Sequence, residues 1–195
     1  GLLIALPRAT HDTTIEVRNA VSTPYIDMTL ETLERFGVEV MHNDGDYTEF
    51  YIEGNQEFTA IDYTIESDWS AASYWYLITA LSKDAEITLP GLFKQSYQGD
   101  SKVADFFPLL GTHTSYKENN VILSKPNLID ISQATHINCD FTDQPDLAQT
   151  LVVACALQNT TFHFSGLQSL KIKETDRIAA LIKEMRKLGY VLYEK

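Results

Sequence analysis

A chain of 195 residues with 44% hydrophobic content is long enough to bury a sizeable core, as one large domain or parts of two, and too apolar to be a disordered tail. Its formal net charge of −12 argues against a general nucleic-acid or membrane-surface binder, because both work through spread positive fields; an anionic ligand would have to meet local cations. Cys139 and Cys155 form no CxxC and have no His pair at ligand spacing, so neither a disulfide framework nor a zinc site is indicated, and reduced cytoplasmic thiols are the default.

No apolar run approaches the roughly 18 residues of a membrane span, and Gly1-Leu-Leu-Ile-Ala-Leu-Pro7 has no basic leader. It reads as the end of an apolar helix, so an excised fragment is expected. Thr13 to Val17 alternates as a strand, and Thr23-Pro-Tyr-Ile-Asp27 introduces a helix, Met28 to Phe36, closed by Gly37. Val38 to Val40 and Glu49 to Ile52 read as a hairpin around the turn signal Asn43-Asp-Gly-Asp46. Ile61 to Glu66 is a strand, Ser70 to Leu81 an Ala- and aromatic-rich helix, and Ala85 to Leu89 a strand. Ser101 to Leu110 makes a helix ending at Gly111, and a hairpin runs through Thr112 to Lys117 and Val121 to Leu123. Ala134 to Asn138 is a strand, Asp146 to Leu157 an apolar helix, and Thr160 to Phe164 a strand. A helix with Ile178, Leu181, Ile182, Met185 and Leu188 on one face follows, stopped by Gly189 and leading into a strand, Tyr190 to Tyr193.

Landmarks recur along this order. The Ala-Leu pairs at Ala5, Ala80 and Ala156 stand 75 and 76 residues apart. The helix-opening aspartates Asp27, Asp100 and Asp176 stand 73 and 76 apart, and the helix-closing Gly37, Gly111 and Gly189 stand 74 and 78 apart. One such series arises easily by chance, whereas three in step indicate an internal repeat of strand, helix, strand, helix, strand, strand, its first copy lacking a start and its third a last strand.

The chemistry-bearing stretch is Lys171-Ile-Lys-Glu-Thr-Asp-Arg177, at the head of the last helix. A helix start offers unpaired N–H groups and roughly half a positive charge, so Lys173 and Arg177 placed there suit a phosphate or carboxylate, with Glu174 facing it as proton carrier. The competing reading is a solvated charged helix, in which pairs of this spacing are worth only about 0.2–0.5 kcal/mol each. Asp146 after Pro145 has a bland reading as a helix cap, as has Asp68 before Ser70, where the cap is preferred. His113, His136 and His163 lack mutual metal spacing, and Trp69, Tyr74, Trp75 and Tyr76 read as packing rather than a base-stacking surface.

A repeated βαβαββ unit carrying Lys173-Glu-Thr-Asp-Arg177 resembles the enolpyruvyl transferases, and within them the branch acting on shikimate 3-phosphate. Ser22-Thr-Pro-Tyr-Ile-Asp-Met-Thr-Leu30, Glu66-Ser-Asp-Trp-Ser-Ala-Ala-Ser-Tyr74, Gln98-Gly-Asp100 and Pro145-Asp146 carry the same resemblance in order. It implies a partial α/β fold of the inside-out α/β barrel type. Residues 1–65 would be the last, incomplete unit of one domain, and residues 66–195 two units of a second, the last incomplete. The implied reaction moves the enolpyruvyl group of phosphoenolpyruvate to the 5-hydroxyl of shikimate 3-phosphate and releases phosphate, without metal or organic cofactor, on the route to chorismate and the aromatic amino acids. By the same resemblance Ser22, Tyr25 and Ser169 contact shikimate 3-phosphate, and Asp146 accepts the attacking hydroxyl's hydrogen bond. Lys173 touches that hydroxyl, Glu174 carries the proton at the enol carbon, and Arg177 clamps the phosphoenolpyruvate carboxylate. Thr23 stands where many members have Lys. A cytoplasmic, monomeric parent is implied, with glyphosate-type inhibitors as candidate ligands and no nucleic-acid or membrane partner; the chain alone is expected to be inactive. Competing readings are the sister family acting on UDP-N-acetylglucosamine and a non-catalytic repeat module.

Overall fold

The computed structural model describes residues 1–125 and 136–194 and divides into two units, Gly1–Ile65 and Glu66–Lys195. In the first unit, helix α1 (Leu2–Ala5) and a 3-10 turn (Leu6–Arg8) lead to strand β1 (Thr13–Glu16), helix α2 (Pro24–Arg35) and strand β2 (Glu49–Ile52). β1 and β2 are antiparallel, Thr13 facing Ile52 and Glu16 facing Glu49. Phe50 and Ile52, two residues apart on one face of β2, are buried with Leu33 and Val38, as a period-two strand laid on a helix requires.

The second unit starts with helix α3 (Trp69–Leu81), whose buried Trp69, Ala72, Ser73, Tyr76, Thr79 and Ala80 form one helical stripe. Strand β3 (Ala85–Pro90) follows, then helix α4 (Val103–Phe106) between two 3-10 turns, and strands β4 (His113–Lys117) and β5 (Asn120–Lys125). These strands form an antiparallel sheet of order β3-β5-β4. Strand β6 (His136–Asp140), helix α5 (Ala148–Leu157) and parallel strand β7 (Thr161–Ser165) make a crossover unit, and helix α6 (Arg177–Lys187) closes the chain's regular structure. α5 is apolar almost all round, and Leu147, Leu151, Ala154 and Cys155 join Trp69, Tyr76, Phe107, Leu123 and Phe141 in one buried cluster. α6 adds Met185 and Leu181 to a second cluster with Val152 and Ala156.

The repeat is visible in the coordinates. The Ala-Leu pairs sit at the ends of α1, α3 and α5, and Gly37, Gly111 and Gly189 all take positive φ (78°, 85° and 89°), the left-handed turn that ends a helix and that a side chain resists. In the first unit β2 lies between β1 and the bridge residue Met41, just as β5 lies between β3 and β4.

Four expected elements differ. Val38 to Val40 is not a strand, because its N–H groups are spent elsewhere: Val38 donates to Leu33 O to close α2, and Glu39 donates to the Gln56 side chain, leaving one bridge at Met41. Ile61 to Glu66 and Tyr190 to Tyr193 are irregular, since among the described residues no strand runs alongside to take a ladder. Tyr190 instead donates back to Met185 O. Ser101 to Leu110 is not one helix but a 3-10 turn, one α turn and a second 3-10 turn, broken where Pro108 has no N–H to give. The expected strand at Ala134 begins two residues outside the described residues.

Candidate active site

The turn ahead of α5 and the segment ahead of α6 meet. Pro145 fixes the first position of a 3-10 turn, Pro145–Leu147, that carries Asp146; α5 itself begins at Ala148, and Leu147 makes no side-chain cap. Asp146 is therefore not the side-chain cap of α5. Its Oδ1 lies 2.9 Å from Arg177 NH1 and 3.4 Å from Lys173 Nζ.

Arg177 is the first residue of α6, and its guanidinium faces two carboxylates. Nε and NH2 donate at 2.9 Å to Glu174 Oε1 and Oε2, a bidentate pair, while NH1 holds Asp146. The arrangement differs from the expected one at the helix start itself. Asp176 caps α6 by accepting from the Ala179 N–H at 2.9 Å, and Lys173 and Glu174 precede the helix rather than occupying its first turn. The positive helix end is thus taken by an internal carboxylate, and the cations act through their side chains. Lys171, in the preceding 3-10 turn Gln168–Ile172, pairs with Glu194.

Arg177's hydrogen bonds hold the Glu174 carboxyl below the usual carboxylate range, helped by its own backbone N–H and the nearby Lys173 charge. Glu174 conversely raises Arg177 further. A depressed carboxylate pKa means the pair is complete at neutral pH and is lost as pH falls through that lowered value. Glu174 is also the most open of the four, its side chain 65% exposed against 22% for Arg177.

The structure thus brings Asp146, Lys173, Glu174 and Arg177 together. Ser169 is half-buried on the 3-10 turn Gln168–Ile172, which packs against the Asp146 turn. Ser22 and Tyr25 lie in the first unit: Ser22 takes φ 54° two residues before α2, and Tyr25 sits in its first turn, donating its N–H to Ser22 O. Asp68 caps α3 through the Ser70 N–H, in agreement with the preferred reading. The aromatic run splits: Trp69 and Tyr76 are fully buried, whereas Tyr74 is 51% exposed. Its hydroxyl accepts from Gln149 Nε2 at 3.5 Å. Tyr74 was legible only as packing, because its neighbours come from α5 and α6, 75 and more residues on.

No group of three or more His, Cys, Asp or Glu that could hold a metal occurs among the described residues. Cys139 and Cys155 are free, and burial pushes the Cys155 thiol up to about 12, the state of an inert packing thiol. No helix among the described residues is long and apolar enough to cross a membrane.

Comparison with known proteins gives concordant matches. The family model described as EPSP synthase (3-phosphoshikimate 1-carboxyvinyltransferase) matches residues 1–195. A 3-phosphoshikimate 1-carboxyvinyltransferase of Bacteroides fragilis is 50% identical over 175 residues, 90% of this chain and 41% of that protein. One from Aliivibrio fischeri is 37% identical over 196 residues, all of this chain and 44% of that protein. The chain therefore spans less than half the length of these curated relatives. Among solved structures, the EPSP synthase from Acinetobacter baumannii superposes with a TM-score of 0.61 over 96% of this chain and 41% of that one, at 15% identity, which speaks to the fold alone.

Proposed function

The chain belongs to the EPSP synthase (3-phosphoshikimate 1-carboxyvinyltransferase) family, and from that membership we propose that it forms part of a cytoplasmic transferase joining phosphoenolpyruvate to the 5-hydroxyl of shikimate 3-phosphate. The observation that carries the reading is the meeting of Asp146, Lys173, Glu174 and Arg177, contributed by two separate turns.

The chemistry is addition followed by elimination. A proton adds to the terminal enol carbon, and the 5-hydroxyl oxygen bonds to the adjacent carbon as its own proton leaves. A proton then returns from the new methyl group as the carbon–oxygen bond to phosphate breaks, leaving an enol ether and inorganic phosphate. In our assignment Arg177 clamps the phosphoenolpyruvate carboxylate with the bidentate geometry a guanidinium favours. Lys173 and Asp146 hold the attacking hydroxyl, Asp146 accepting its hydrogen. Glu174 delivers and recovers the carbon-bound proton, a role for a positioned carboxyl. Ser169 is assigned to shikimate 3-phosphate; Ser22 and Tyr25, in the first unit, carry the same assignment from the resemblance alone. The rest of the site is assigned to parts of the longer enzyme beyond this chain, as the relatives' greater length suggests.

Acceptor choice tests this reading. The chain is combined with a polypeptide supplying the remainder of a family enzyme, and phosphate release from phosphoenolpyruvate is followed with shikimate 3-phosphate or UDP-N-acetylglucosamine as acceptor. Release with the first and none with the second is expected. Release with the UDP-sugar alone would move the protein to the sister family, and release with neither would favour a non-catalytic module.

A further inference from the structure

We propose that Glu174 serves as an internal stand-in for the substrate carboxylate, occupying the Nε/NH2 edge of Arg177 so that a ligand carboxylate binds by exchange and sets Glu174 free to face the reacting carbon. The proposal rests on the reading of Arg177 as a carboxylate clamp and adds to it an order of events.

The geometry is that of a competitor already seated. Glu174 holds both Nε and NH2 at 2.9 Å, and Asp146 holds NH1. A second carboxylate seeking bidentate contact on that same edge has to displace Glu174. Glu174 is the partner able to leave, since its side chain is 65% exposed whereas that of Asp146 is 32% exposed and also faces Lys173. The charged groups facing Glu174 are Arg177 and Lys173, with Asp146 on the NH1 of Arg177. Exchange also resolves a chemical conflict. A carboxyl tied to Arg177 is held deprotonated and makes a poor acid, and once ligand takes the guanidinium the main cause of that depression is gone. The proton carrier is then armed only when a carboxylate substrate is in place.

The test uses the 195-residue chain, nitrogen-labelled and combined with the complementing polypeptide, with phosphoenolpyruvate as probe and the Arg177 Nε–Hε resonance as readout. Exchange predicts different positions for this resonance in wild type and Glu174→Gln before addition and a common position at saturation, because the ligand then occupies the same edge in both. It also predicts tighter binding, by about two- to five-fold, for Glu174→Gln and for Glu174→Asp alike, the range allowed by an exposed ion pair. Glu174→Asp keeps the charge but is one methylene short of holding both nitrogens while Arg177 keeps Asp146, so it separates exchange from simple loss of repulsion. Backbone shifts that report binding while the Arg177 resonance stays still, or a Glu174→Asp affinity equal to wild type, overturn exchange and leave the site assignment standing. No shift anywhere in any variant overturns the clamp and the exchange together.

Discussion

In the full-length enzyme we assign this chain to, Glu174→Gln should lower kcat by about 10²- to 10⁴-fold, the usual contribution of a positioned acid–base group, with KM for phosphoenolpyruvate unchanged or lower. The amide keeps the shape of the side chain and cannot carry the proton. The direction of KM is informative, because Glu174 in this structure holds the two guanidinium nitrogens that the ligand is proposed to take. A loss of binding with turnover intact would point to a structural salt bridge instead. Near-normal turnover would remove Glu174 from the mechanism and favour a scaffold, in which the exposed, solvent-screened pair matters little. Steady-state kinetics with both substrates varied distinguishes these outcomes.

A second large effect is expected at a residue that carries no chemistry. Gly166 follows β7 with φ 73°, and a Cβ there would lie 2.3 Å from Thr142 N, 2.4 Å from Asp140 Oδ1 and 2.5 Å from Thr142 Oγ1. Those atoms form the turn after β6, in which Asp140 Oδ1 accepts from the Thr142 N–H and hydroxyl at 2.9 and 2.7 Å. The same turn leads through Gln144 and Pro145 to Asp146. Gly166→Ala should cost about 2–4 kcal/mol, combining a left-handed backbone with a forced shift of packed atoms. Gly189→Ala is the control: φ is 89° but nothing lies within 4 Å of the added carbon, so only the backbone cost of about 1–2 kcal/mol is expected. Urea denaturation of the two variants gives the comparison, and equal losses would show that the close approach at Gly166 is tolerated.

The repeat was legible because helix ends are written locally: an Ala-Leu close and a glycine with positive φ recur in step, whereas of the three expected helix-opening aspartates only Asp176 caps a helix, Asp27 lying inside α2 and Asp100 in a 3-10 turn. Strands were less so, because whether an N–H joins a ladder depends on what else is within reach. The Gln56 side chain takes the Glu39 N–H, a partner 17 residues away that periodicity does not reveal. Glu66 shows the same limit. Its carboxylate accepts from Trp69 Nε1, Phe93 N, Ser96 Oγ and Gln98 Nε2, tying the start of α3 to the loop after β3, a set of partners that neither the end of a strand nor the head of a motif reveals.

At the site, the Lys173 to Arg177 run announced its own charges, and the resemblance supplied Asp146. Neither could say that Arg177 would bridge Asp146 and Glu174 at once. That fact depends on Asp146 lying in a 3-10 turn rather than capping α5, and Pro-Asp before an apolar run reads the same in both cases. The helix start was misread for a related reason. Asp176, not a ligand, takes the N–H that the sequence left open.

In our assignment these four residues form one wall of a site completed elsewhere in the longer enzyme. Holding two highly charged substrates in line supplies much of a barrier reduction that is commonly about 8–23 kcal/mol, and one wall leaves them half solvated. The direct measurement is phosphate release from phosphoenolpyruvate and shikimate 3-phosphate by the purified chain, alone and with the complementing polypeptide. No turnover alone and turnover on mixing, abolished by Arg177→Ala in this chain, are expected; sustained turnover by the chain alone, or turnover on mixing that survives Arg177→Ala, would overturn the assignment.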